Sequence, residues 1–263
     1  MRDANIEYRE LLKDILLHGV PVSPRSQLCK ELLCRKTVID MDTCFISIPE
    51  RKLGKRFRAA EAAWILSGDN RVNTIENFSK KIGDYSDDGV YFSGAYGPPF
   101  RDQLPYVLRC LKSDIESRQG VITIWRSRPF DSKDIPCTVS LQFIIRDFTL
   151  HTIATMRSSD AWLGWPYDIH NFSCMSAYLL LSLVRASRTY EGIGLGQLHL
   201  TAGSQHLYHE NWKKALHVFD SFSRLTEIQR MNLKSKEESL DWKGYTPDEF
   251  IESLWKKANT SSH

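Results

Sequence analysis

No stretch of these 263 residues is apolar for long enough to cross a bilayer. The longest run, around Ala177 to Val184, falls well short of the ~20 residues a spanning helix needs. The opening MRDANIEYRE lacks the basic-then-apolar order of a secretory signal, so a cytoplasmic protein is expected. Charge of one sign is scarce as well. A net charge of +3, with basic and acidic residues interspersed, argues against a nucleic-acid partner and against an anionic membrane surface. No two of the six cysteines (Cys29, Cys34, Cys44, Cys110, Cys137 and Cys174) form a CxxC pair. Reduced thiols are therefore expected, and no metal site. There are no repeats and no low-complexity linker. With 42% hydrophobic residues, the chain can bury a sizeable core as one domain spanning 1–263.

Helical and strand patterns alternate without a regular βαβ rhythm, which predicts an α+β fold with a mixed sheet. Asn5 to Leu17 places Ile6, Leu11, Leu12, Ile15 and Leu16 on one helical face, and Gly19 can end that helix. Val38 to Ile48 reads as a strand, Arg58 to Ser67 as a helix stopped at Gly68, and Asn73 to Ile82 as another helix. Asp84 to Pro99, rich in Gly, Asp, Ser and Tyr, reads as an irregular loop. Leu104 to Ile115 is helical and Val121 to Trp125 a short strand. Val139 to Ile145 and Thr149 to Thr155 are paired strands turning at Arg146 and Asp147. Asn171 to Arg185 is the most apolar helix and should be central. A strand through Leu198 to Thr201 precedes a helix starting near Glu210. Thr246, Pro247 and Glu249 form a capping box that opens a final helix.

The chemistry concentrates between Ile135 and Ile169, IPCTVSLQFIIRDFTLHTIATMRSSDAWLGWPYDI. Cys137 follows a proline at a strand start, and Arg157 comes twenty residues later. A cysteine so placed could be held as a thiolate, because positive charge lowers its pKa. A lone cysteine is more often a small packing residue, however, and pattern alone does not decide.

Pro136-Cys137, Gln142-Phe143, Arg157-Ser158-Ser159-Asp160 and Leu163-Gly164-Trp165-Pro166-Tyr167-Asp168-Ile169 follow one another without a gap. This order resembles the active-site region of thymidylate synthases and the related pyrimidine nucleotide hydroxymethylases. Gly203-Ser204-Gln205-His206-Leu207-Tyr208 is similar to the family's sugar-binding element, and Glu61 to Asp69 to its Glu-Leu-x-Trp-Phe-Leu-x-Gly-Asp helix. Tyr96-Gly97, Ser117-Arg118 and Pro24-Arg25-Ser26 match shorter family elements. The resemblance runs from about Ile6 to Tyr208 and fades beyond, the region after about residue 225 being divergent.

The resemblance implies a thymidylate synthase-like fold, with a large mixed sheet flanked by helices and packed across a homodimer interface with shared active sites. It implies a pyrimidine nucleoside monophosphate and 5,10-methylenetetrahydrofolate as substrates. Cys137 becomes the thiolate that adds to C6 and makes C5 carbanion-like. Glu61 relays protons through water. Arg25, Arg157, Ser158 and, across the two-fold axis, Arg118 grip the phosphate, since a dianion needs forked, permanently charged donors. His206 and Tyr208 hold the sugar; on a strand, residues two apart share a face. Gln142 and Asp160 are expected at the nucleotide, Asp160 also toward the folate, which would lie against Trp64 and Tyr85. Core packing is the commoner task for a tryptophan such as Trp64.

The sequence departs from the synthase pattern at Asp168, where methylating enzymes keep an asparagine that pairs with uracil. Cytosine presents an N3 acceptor beside an N4 donor. A protonated Asp168 can donate to N3 and accept from N4; an ionised one can accept from N4 and from a protonated N3. The expected activity is thus 5-hydroxymethylation of CMP or dCMP. The rivals are methylation or hydroxymethylation of a uridylate, and a non-catalytic nucleotide- or RNA-binding relative. Thr138 stands where synthases usually keep histidine, Gln119 replaces the second arginine of Ser-Arg-Arg, and Ser204 and Gln205 precede the histidine where an acidic residue is common. The closing LWKKANTSSH lacks the short apolar tail with which synthases exclude water.

Overall fold

The computed structural model describes residues 3–127, 131–224 and 239–260. Six strands form one sheet: β1 (Val20–Val22), β2 (Cys29–Asp40), β3 (Val121–Thr123), β4 (Thr138–Arg146), β5 (Thr149–Asp160) and β6 (Gly194–Tyr208). Their spatial order is β1-β2-β6-β5-β4-β3. Every neighbouring pair is antiparallel except β5 and β6, which run parallel. A parallel pair needs a crossover, and α5 (Trp165–Ala186) supplies it. This is the mixed, α+β architecture the sequence predicts.

The even-numbered side chains of β5, Leu150, Thr152, Ala154 and Met156, are buried toward α5, where Thr152 Oγ1 meets Ser176 Oγ at 2.6 Å. Their odd neighbours His151, Ile153, Thr155 and Arg157 are more accessible. α5 is buried on most of its circumference, as its apolar pattern requires. Around it pack α1 (Ala4–His18), α2 (Lys55–Leu66), α4 (Gly97–Ser113) and the last helix, α7 (Pro247–Thr260); α3 (Val72–Ile75) and α6 (Trp212–Ser223) complete the set. Asp3 caps α1, its carboxylate accepting from Asn5 N at 2.7 Å and Ile6 N at 3.0 Å. Gly19 does end α1, though not through a left-handed turn. A Cβ there would lie 2.4 Å from the Ile15 carbonyl oxygen, so close approach is what requires glycine.

Several expected boundaries move. The strand expected over Val38 to Ile48 is Cys29–Asp40, followed by a 3₁₀ turn at Met41–Thr43. Its first half is half-exposed and interrupted at Cys34, a left-handed residue (φ 53°) missing from an otherwise unshifted ladder, and buried and exposed positions do not alternate there. The helix expected over Asn73 to Ile82 is the single turn α3, then an extended Ser79 and a 3₁₀ segment, Lys80–Tyr85. Local capture explains the interruption, since the Asp69 carboxylate takes the N–H groups of Asn70 and Arg71 and the Thr74 hydroxyl. The loop expected to reach Pro99 ends earlier, because Pro98 and Pro99 occupy the first turn of α4, where a missing N–H costs nothing. The β4–β5 turn falls one residue later than expected, at Asp147 (φ 48°) and Phe148 (φ 54°), the left-handed pair that a two-residue hairpin favours. The Thr246–Glu249 capping box forms as expected, and α7 follows it. The divergent region after about 225 lies outside the described residues as far as 238.

Candidate active site

Cys137 sits half-buried at the mouth of β4, just ahead of Thr138. The ladder sets Arg157 beside it: Arg157 N donates to the Cys137 carbonyl at 2.8 Å. The guanidinium turns back to the segment before Cys137, donating from Nε to Pro136 O and from Nη2 to Ile135 O, both at 3.0 Å. Two of its five donors are thereby used, and the others remain for an anion. Arg25, itself left-handed (φ 52°), also acts on Cys137 electrostatically. The thiolate expected from these arginines is not what results. Burial pushes the thiol pKa up, Arg157 and Arg25 pull it down, Asp168 and Asp134 push it up again, and the net direction is upward. That direction favours the neutral thiol over the thiolate at Cys137.

Beyond Cys137, a pocket of about 160 Å³ is lined by Glu61, Asp168, Asn171, Tyr96 and Asp134 on its polar side, and by Trp64, Ile82, Tyr85 and Phe92 on its apolar side. Asp168 lies in the first turn of α5. Enclosed apart from its opening to this pocket, it has a pKa raised to about 7, chiefly by burial and then by the charge of Asp160. Glu61, from the middle of α2, is also raised to about 7, by burial and by Asp168, while an Asn171 hydrogen bond opposes the shift. Asn171 Nδ2 donates to Glu61 Oε2 at 2.8 Å. Tyr96 accepts the Thr138 N–H at 3.3 Å and lies parallel to Phe172, with ring centroids 6.5 Å apart.

Parallel register on the helix-facing side brings Ser158 opposite Ser204 and Asp160 opposite His206. His206 is buried with Nδ1 unpartnered among the described residues, and its ring meets Tyr208 edge-on at 5.1 Å. Asp160 Oδ1 accepts from Trp162 N at 2.7 Å and Leu163 N at 3.1 Å, so the carboxylate fixes the turn that launches α5. Gln142 Nε2 is taken by the Arg118 carbonyl at 2.8 Å. Arg118 is exposed and shows no interaction with the Cys137 cluster. Trp64 packs edge-to-face on Phe92 at 5.6 Å and still lines the pocket; its Nε1 has no partner among the described residues. Tyr85, 57% exposed, stands at the rim.

Cys137, Arg157, Glu61 and Asp168 thus converge from β4, β5, α2 and α5 in the order the motifs imply. The thymidylate synthase family model matches residues 6–253. The chain belongs to the thymidylate synthase family. It is similar to the deoxyuridylate hydroxymethyltransferase of Bacillus phage SP01, 27% identical over 230 residues that cover 78% of this chain and 57% of that protein. It is also similar to the deoxyuridylate hydroxymethyltransferase of Pseudomonas phage M6, 30% identical over 181 residues covering 65% and 49%. The chain spans about half the length of these curated relatives. Among the described residues no helix is long and apolar enough to cross a membrane.

Three residues of this family member were not given roles by sequence reasoning. Asn171 lies three residues after Asp168 on one helix, a spacing that shares a face and could have been read. Tyr96 stood inside a family motif without an assigned task. Asp134 gave no signal, because only the fold carries its loop to the pocket wall.

The Glu61 shift makes a stability prediction. An unfolded glutamate ionises near 4.5 and this one near 7, so across that window the unfolded chain releases a proton that the folded chain keeps. Stability from this group is therefore complete below 4.5 and lost as pH rises through 7. Glu61→Gln should stabilise the protein by about 2–3 kcal/mol at pH 8 and by nothing at pH 4, measured by urea unfolding. An equal effect at both pH values would show that Glu61 is not held neutral.

Proposed function

We propose that this chain transfers a one-carbon unit from 5,10-methylenetetrahydrofolate to C5 of a cytidine monophosphate, CMP or dCMP, and that water completes it as a hydroxymethyl group. The observation that carries the reading is Asp168, a half-buried carboxyl with its pKa near 7 that lines the pocket and acts electrostatically on Cys137. A carboxyl offers one donor and one acceptor only when protonated. For an ordinary aspartate, protonation at pH 7 costs about 4 kcal/mol; here burial removes nearly all of that cost. The neutral group donates to N3 of cytosine and accepts from its N4 amino group. Turned over, it can also meet uracil, so the pattern of donors alone separates the bases less sharply than the sequence suggests. The preference comes from basicity, since N3 of cytosine is a far better proton acceptor than O4 of uracil. A proton shared with N3 also draws electrons from C6 and opens it to Cys137.

Glu61, steadied by Asn171, moves protons at the pyrimidine edge through water. Arg25, Arg157, Ser158 and Arg118 of the partner subunit hold the phosphate; His206 and Tyr208 hold the sugar. Asp160 Oδ2 and the free amide oxygen of Gln142 are left to reach the nucleotide. A flat folate ring suits the wall of Trp64, Ile82, Tyr85 and Phe92, where the unpartnered Trp64 Nε1 offers a donor. When bound, the folate supplies the one-carbon unit. A homodimer would complete the phosphate grip, a reading supported by the exposed Arg118 and by the accessible outward side chains of β5. Mixing Cys137→Ala with Arg118→Ala, each inactive, should restore about a quarter of wild-type activity through heterodimers with one intact site. No recovery after subunit exchange would sink the shared site.

Purified protein given methylenetetrahydrofolate with CMP, dCMP, UMP or dUMP separately, followed by mass spectrometry, tests the reaction. The relatives' names favour a second reading, hydroxymethylation of deoxyuridylate. Turnover of uridylates alone would establish it over ours, and a methylated product would remove the hydroxymethylase reading.

A further inference from the structure

Asp134 is the third carboxyl on the pocket wall, with Glu61 and Asp168, and neither the phosphate grip nor base reading uses it. Its loop is tied down at several points. Asp134 N donates to Ser132 Oγ at 3.0 Å, and Ser132 Oγ lies 2.7 Å from Ser93 Oγ and donates to Asp87. Lys133 N donates to Asp87 Oδ1 at 2.8 Å. The carboxylate is fixed too, since Oδ2 accepts from Gly94 N at 2.5 Å. The contact demands glycine: a Cβ on residue 94 would lie 2.5 Å from the Asp134 carbonyl oxygen and 2.9 Å from Oδ1. Oδ1 has no partner among the described residues. Asp134 is also close enough to Cys137 to act on its charge. One oxygen is therefore anchored and the other is free, at the edge of the cavity where C5 chemistry would take place.

We infer that Asp134 is the base that delivers water to the one-carbon unit on C5. The inference rests on the hydroxymethylation reading above. Once the folate has left, C5 carries an exocyclic methylene conjugated to C4, and Cys137 Sγ is still bonded to C6. Water attacks the methylene carbon as Asp134 Oδ1 takes its proton. The C=CH₂ electron pair moves into the ring toward C4, and a C–O bond forms. That pair then returns to make C5=C6 and expels Cys137 as thiolate, giving the hydroxymethyl base. The proton on Asp134 passes to solvent or to the thiolate, so charge and atoms balance. Glu61 and Asp168 already carry the proton relay and the base reading, so Asp134 is the pocket carboxyl left for this step. The Asp134 pKa is raised too, by burial first and also by Asp87, while the Gly94 N–H and Arg126 oppose the shift.

Asp134→Asn tests this, since its amide oxygen can still accept from Gly94. Two readouts separate the steps. Exchange of the C5 hydrogen of the nucleotide with D₂O, followed by NMR, needs Cys137 addition and base reading but no hydration. Hydroxymethyl formation needs both. The variant should keep exchange within about 3-fold of wild type and lose hydroxymethyl product by about 10²-fold, as for removal of a general base. Added 2-mercaptoethanol should then trap the methylene as a thioether, because the fraction already ionised in solution attacks without a protein base. Loss of exchange and product together would make Asp134 a structural clamp, and unchanged hydroxymethylation would remove it from the step; either overturns the inference. A wild-type protein that neither exchanges nor hydroxymethylates any pyrimidine nucleotide overturns the underlying reading instead.

Discussion

Cys137→Ala should lower C5 hydrogen exchange and hydroxymethylation together, by at least about 10³-fold, without changing the melting temperature by more than a degree or two. Of the other five cysteines, Cys29, Cys44 and Cys174 are buried, Cys34 is exposed on β2 and Cys110 lies half-buried on α4; none of the five lines the pocket. The small cost in stability follows from position: Cys137 is only half-buried, and its backbone bond to Arg157 does not depend on the side chain. The raised thiol pKa adds a signature. Alkylation of Cys137 by iodoacetamide, read by peptide mass spectrometry, should be slow at pH 7 and quicken as pH rises. Arg157→Ala should slow it further, since that charge favours the thiolate. Retained turnover in Cys137→Ala would dismiss covalent catalysis at this residue.

Asp168→Asn should cut turnover of cytidylate by about 10²-fold or more while turnover of uridylate rises relative to it. The amide keeps one donor and one acceptor but has no proton to lend to N3, so the ring loses its activation. The same substitution should stabilise the free protein. An unfolded aspartate ionises near 3.8 and Asp168 near 7, so the folded state holds a proton that the unfolded state has released. Stability is complete below 3.8 and falls as pH climbs through 7. The asparagine variant escapes that loss and should gain about 2–4 kcal/mol at pH 8 and nothing at pH 3.5, measured by urea unfolding. Because the Asp168 charge contributes to raising Glu61, their combined effect should fall short of additive. A site kept at the expense of stability is common where function needs a buried acid. An unchanged preference between the bases in this variant would leave Asp168 a packing residue.

Much of the fold was legible because its signals are local. Leu11, Leu12 and Ile15 mark one face of α1, Thr246 and Glu249 cap α7, and the apolar run of α5 can only be central. β2 was misplaced because its cue is tertiary: half of it is exposed, and the alternation a reader relies on is absent there. The candidate site divides in the same way. Residue identity and spacing named Cys137, Arg157, Glu61 and Asp168, since nucleophile, anion clamp and carboxyls are chemistries that particular side chains alone provide. Their electrostatic states were beyond the sequence. A pKa is set by desolvation and by neighbours distant in the chain, so burial outweighs the arginines and moves the Cys137 thiol upward, and raises Glu61 and Asp168 to about 7. Long-range packing alone set Asn171 against Glu61 and closed the Asp134 loop onto Gly94. The sequence by itself determined which groups are present and which elements carry them; the tertiary structure decided which of them meet, and in what state of charge, because both depend on what surrounds a side chain in space.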